Sequence, residues 1–96
     1  MQNAWDVGLT RKVEKQIKAL PESIRIKTKA LMDDLLEKGY MQPSWPGFST
    51  LSRINMTFHC HIKNGKPTYV ACWQVINKQS KKIEVYYVGT HENAPY

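Results

Sequence analysis

The chain has 96 residues, enough for one hydrophobic core and too few for two. With 42% hydrophobic residues it is not a disordered chain. Its 14 Lys and Arg against 8 Asp and Glu give a net charge of +6, which points to an anionic partner, either nucleic acid or an acidic protein segment. Cys60 and Cys72 do not form a disulfide framework, no apolar run approaches the roughly 20 residues of a membrane span, and the polar opening MQNAWDVG is not a signal peptide. A cytoplasmic protein with no membrane association is therefore expected.

Trp5, Val7 and Leu9 alternate with Asp6 and Gly8 and read as a short first strand. Thr10 stands at an N-cap position, and Val13, Ile17 and Leu20 follow at helical spacing. Pro21 ends that helix and begins the next, which carries Ile24, Leu31 and Leu35 and stops at Gly39. Pro43, Pro46 and Gly47 break the stretch from 40 to 53 into a loop. From Asn55 the pattern changes to period two. NMTFHCHIK, Asn64-Gly65 and PTYVACWQVI form a hairpin signal, and a turn at Asn77 to Ser80 leads into Ile83 to Val88. The order β-α-α-β-β-β predicts an α+β fold, with a helical pair packed on one face of an antiparallel sheet.

A two-residue turn at Asn64-Gly65 would set Lys63 opposite Lys66, His61 opposite Thr68, His59 opposite Val70 and Thr57 opposite Cys72. Alternation then gives Phe58, Cys60, Ile62, Tyr69, Ala71 and Trp73 to an apolar face beneath the helices. Thr57, His59, His61, Val70, Cys72 and Gln74 fall on the other face, which is expected to be open. The two cysteines lie on opposite faces under the same count and cannot bridge.

Histidine titrates near neutrality and can both take and give protons. His59 and His61 share a face, His91 follows the last strand, and Tyr96 stands five residues after it. RNA carries its own nucleophile, the 2′-hydroxyl, so cleavage needs only a base, an acid and cations near the phosphate. These four side chains are the candidate catalytic set, against the plainer reading of polar residues on a wet sheet face. Zinc bound by His59, His61, Cys72 and His91 is a rival, but the spacing matches no short ligand motif, so no metal or other cofactor is expected. Arg53, Lys63 and Lys66 border the histidine strand and its turn and are candidate RNA contacts; Arg11 and Lys15 give the first helix a basic face. Trp45 and Phe48 can stack on bases or cap the core.

The runs FHCHIKNGKPTYVACWQV and KIEVYYVGTHENAPY resemble the C-terminal half of RelE/ParE-superfamily toxins, closest to the YafQ-like branch through Cys60-His61-Ile62 and Gly89-Thr90-His91. The front half, from Thr10 to Ile17 and on to Leu20-Pro21, fits the same pattern. The resemblance implies the toxin of a type II toxin–antitoxin pair. It would be a metal-independent endoribonuclease that cleaves mRNA in the A site of the 70S ribosome and is silenced by a cognate antitoxin. It maps His61 and His91 onto the catalytic histidines and Tyr96 near a functional C-terminal aromatic, and it leaves His59 an auxiliary place. Two positions depart from the pattern: Val70 stands where many relatives have a strand arginine, and Trp45-Pro46 where a further histidine would be. The missing arginine also keeps open a ParE-like toxin that inhibits DNA gyrase by binding it.

Overall fold

A computed structural model describes residues 4–96, so Met1 to Asn3 of the polar opening lie outside the described residues. Strand β1 spans Asp6–Leu9, helix α1 Arg11–Lys18 and helix α2 Glu22–Lys38. Thr10 caps α1 by accepting the Val13 amide at 3.1 Å on its hydroxyl, as its position predicts. Pro21, which has no amide hydrogen, precedes the first turn of α2. Gly39 ends that helix at φ +89°, and an added Cβ would stand 2.6 Å from the Trp5 indole nitrogen. Glycine is required there on both counts.

Four more strands follow: β2 (Ser49–Ser52), β3 (Thr57–Lys63), β4 (Tyr69–Asn77) and β5 (Lys82–Thr90), with a single 3₁₀ turn at His91–Asn93. They form one sheet in the order β1-β5-β4-β3-β2. The α+β arrangement and the β3-β4-β5 meander are those expected from the sequence. The sheet is nevertheless mixed, because β1 runs parallel to β5, and part of the expected 40–53 loop is an edge strand, β2. The pairing of β1 with β5 has no local turn to announce it, and the turn at residues 53–56 that joins β2 to β3 carries no glycine or proline to mark it. Ser49–Ser52 reads STLS, too short and polar for an alternation signal, and it is strand only because β3 supplies its partners.

The hairpin also differs in register. Asn64–Thr68 make a five-residue connection in place of a two-residue turn, and His59 pairs with Cys72, His61 with Val70 and Lys63 with Tyr69. Most pairs slide by two residues from the expected register. An even slide keeps every side chain on its face, so the assignment of faces survives.

Val13, Leu20, Ile24, Leu31 and Leu35 of the helical layer bury against Phe58, Cys60, Ile62, Ala71, Trp73 and the inward residues of β5. Burying a side chain such as Leu31 contributes about 1.5–3 kcal/mol. Trp45 and Phe48 pack on this core, Trp45 donating its indole N–H to Asp34 at 2.8 Å, so both act as caps. The far face is not as open as the alternation implied. Val70, Cys72 and Tyr87 form a second buried cluster there, with Leu51, Tyr86 and Ala94 against it. Cross-strand apolar contact and the chain end cover this floor and leave its rim to the histidines. Cys60 and Cys72 are free thiols on opposite faces, and burial pushes both up to about 12. Among the described residues, no helix is long and apolar enough to cross a membrane.

Candidate active site

Strand alternation projects His59 and His61 from β3 to the face away from the helices, their ring centroids 5.7 Å apart. The other half of the site arrives on the chain end. The Tyr87 hydroxyl donates to the Thr90 carbonyl at 2.6 Å and lies where a Cβ on Gly89 would be, 2.7 Å away, so the end of β5 passes over it only as glycine. The 3₁₀ turn then presents His91, whose amide donates to the Thr68 carbonyl at 2.8 Å and fastens the tail to the hairpin connection. Beyond it the chain folds back and lays Tyr96 on His59.

The result is a closed circuit of four rings. Centroid separations are 6.1 Å for His61 and His91, 5.8 Å for His91 and Tyr96, and 4.7 Å for His59 and Tyr96. All four residues singled out in the sequence are thus gathered on one surface. They differ in exposure: His59 is 8% exposed, His61 half-buried, and His91 and Tyr96 exposed. A substrate on this surface meets His61, His91 and Tyr96 first, with His59 beneath.

Each strand imidazole has a partner. The His59 Nδ1 lies 3.0 Å from the Ser49 hydroxyl. The His61 Nδ1 lies 2.6 Å from the Asn64 amide oxygen, and the His61 amide donates to the Pro46 carbonyl at 2.7 Å. Burial, with smaller repulsion from His61 and His91, lowers the His59 pKa below its usual 6.5 against an opposing hydrogen bond to Ser49. Its imidazole is neutral at pH 7. Burial first, then Cys72, Tyr87 and Cys60, raise the Tyr96 pKa, so its phenol keeps its proton.

The His59 shift makes a stability prediction. The folded chain holds this ring neutral more strongly than the unfolded chain does. Its contribution is therefore complete above the unfolded pKa, near 6.5, and is lost as pH falls toward the lowered folded value. The wild-type melting temperature is expected to fall between pH 7.5 and 5.5 by more than that of His59→Gln; equal declines in a thermal scan would refute it.

The cations divide into two groups. Lys66 lines a cleft of about 530 Å³ with Gly65, Pro67, Thr68, His91 and Glu92, directly beside the imidazoles. Lys63 is exposed at the end of β3, and Arg53 is exposed in the turn before it. Arg11 and Lys15 sit on α1, in the layer that covers the opposite sheet face, so the fold does not gather them with the histidines. Cys72 is buried with its thiol protonated and does not join the imidazoles as a ligand. Among the described residues no three His, Cys, Asp or Glu side chains are placed to hold a metal ion.

Sequence reasoning missed Ser49, Gly47 and Asn64. Asn64 carries a signal for a turn, and its service to His61 three residues earlier is an addition to that role. Ser49 lies in the segment read as loop, where nothing local points to His59.

These features define a two-layer α+β domain with a histidine-rimmed sheet face closed by its own C-terminus. No family model and no curated protein sequence matches the chain. Solved structures do. A chain of the archaeal RelE-RelB complex from Pyrococcus horikoshii superposes with a TM-score of 0.76 at 15% identity, over 96% of this chain and 100% of that one. The isolated E. coli RelE toxin gives 0.71 at 18%, over 96% and 89%. A metal-bound toxin from Helicobacter pylori gives 0.66 at 15%, over 92% and 96%. The chain has the fold of the RelE toxins.

Proposed function

We propose that the chain is the toxin of a toxin–antitoxin pair and acts as a metal-independent endoribonuclease on mRNA in the ribosomal A site. The observation that carries this reading is the circuit of three imidazoles and a phenol on one accessible surface, in a fold shared with RelE toxins. One of His61 and His91 takes the proton of the 2′-hydroxyl, the 2′-oxygen bonds to phosphorus, and the bond from phosphorus to the 5′-oxygen breaks. The other histidine gives its proton to that leaving oxygen. The products are a 2′,3′-cyclic phosphate and a 5′-hydroxyl. Tyr96 and His59 assist, and Lys66, Lys63 and Arg53 offset charge on the phosphorane. Arg11 and Lys15 belong to a wider contact with the ribosome.

An antitoxin is the expected protein partner, since RelE is solved with RelB from P. horikoshii and in the intact E. coli RelBE complex. The setting of such a pair is the cytoplasm. A gyrase-directed, ParE-like toxin is the second reading. It is favoured by Val70, fully buried and paired with His61, where the sheet floor offers no cation.

Programmed 70S ribosomes decide between them. The purified chain is expected to cut A-site mRNA and leave 2′,3′-cyclic ends, with no metal beyond the magnesium that holds the ribosome together. Intact mRNA together with inhibited DNA supercoiling would overturn the first reading in favour of the second.

A further inference from the structure

We propose that Asn64 is a positioning residue that fixes the tautomer of His61, keeping a proton on Nδ1 and making Nε2 the reacting nitrogen. This rests on the cleavage reading for its consequence, and on geometry alone for the tautomer. An amide oxygen accepts hydrogen bonds and cannot donate them. At 2.6 Å from Asn64 Oδ1, the His61 Nδ1 must be the donor. The lone pair of the neutral ring is then on Nε2, and a charged ring releases its Nε2 proton. One nitrogen serves in either direction.

The surroundings keep that nitrogen usable. Gly47, at φ +66°, lies against the ring: a Cβ there would stand 2.6 Å from Cδ2 and 2.8 Å from Nε2. A side chain would press on the atom that must meet substrate. The Pro46 carbonyl holds the strand from the same segment. His59 provides the contrast, because its Nδ1 faces the Ser49 hydroxyl, which can donate or accept, and so Ser49 does not choose a tautomer. Asn64 is exposed, and its side-chain contact is with His61, so core packing does not account for it. The titratable groups bordering His61 are His59 on its own strand and His91 on the tail. Both are imidazoles, and neither is an acceptor of fixed sense.

The test is nitrogen-15 NMR of the histidine rings of the full chain, with cleavage kinetics alongside. Wild-type His61 is expected as the Nδ1–H form at high pH. Asn64→Leu should populate both tautomers and lower kcat by about 10- to 100-fold, the scale on which partners that orient metal-bound histidines act, with KM little changed. Asn64→Asp should keep the tautomer, because a carboxylate also accepts. An unchanged His61 tautomer in Asn64→Leu overturns the assignment. A tautomer that shifts in a protein whose wild type never cuts RNA leaves Asn64 in its role and removes the cleavage reading instead.

Discussion

Replacing His61 with alanine is expected to slow A-site cleavage by about 10²- to 10⁴-fold, the range a positioned general acid or base contributes. His91→Ala should fall in the same range. The two losses should not add when combined, because proton removal and proton delivery serve one displacement and residues that act as a unit are non-additive. Stability should be little affected: His61 is half-buried at the rim of the sheet, His91 is exposed, and neither belongs to the main core. His59→Ala should cost less in rate than His61→Ala, since His59 lies beneath Tyr96 and reaches substrate only through its neighbours. Single-turnover cleavage on programmed ribosomes measures each step. Cleavage by His61→Ala and His91→Ala at the wild-type rate would remove the mechanism, whatever the fold.

How much of this was legible in the sequence depends on how local each signal is. Helix spacing, the Thr10 cap and the Gly39 stop depend on neighbours within a few residues, and all three hold in the structure. Placing His59 and His61 together needed only their two-residue spacing, which no register error can undo; the even slide preserved the faces assigned to their partners on β4. The parallel seat of β1 beside β5 joins the two ends of the chain, and no local pattern encodes it. The cover over Val70, Cys72 and Tyr87 is equally nonlocal. Its apolar members were visible, but their mutual packing and the return of the tail were not. Tyr96 entered the candidate set from its place five residues after His91, and the resemblance agreed; its tilted contact with the His59 ring is a tertiary fact. Ser49 and Asn64 stayed hidden for the same reason, as their residue types have common local uses that satisfy a sequence reading.

Trp73→Ala is expected to cost about 3–5 kcal/mol, the range for truncating a buried aromatic. Against the 5–15 kcal/mol that holds a domain together, that loss is expected to unfold much of the population on modest warming. Trp73 is fully buried at the centre of the sheet, stacked on Phe58 at 6.5 Å and on Phe48 at 6.1 Å. Its indole N–H donates to the Tyr40 carbonyl at 3.1 Å, tying β4 to the chain just after α2. Truncation removes the packing and leaves that carbonyl without its donor. Trp73→Phe retains much of the packing and should cost distinctly less. The loss should also reach the histidines, because Phe48 rests on Trp73 and stands next to Ser49 and Gly47, the residues against His59 and His61. Denaturant midpoints measure the first effect, and histidine ring resonances in a variant kept folded by cold measure the second. A cost below about 1 kcal/mol would place Trp73 in a site that collapses without a cavity, contrary to the cavity term of core truncations. Unmoved His59 and His61 resonances would cut the link from the core to the site, leaving the 46–49 segment held by its strand pairing with β3 alone.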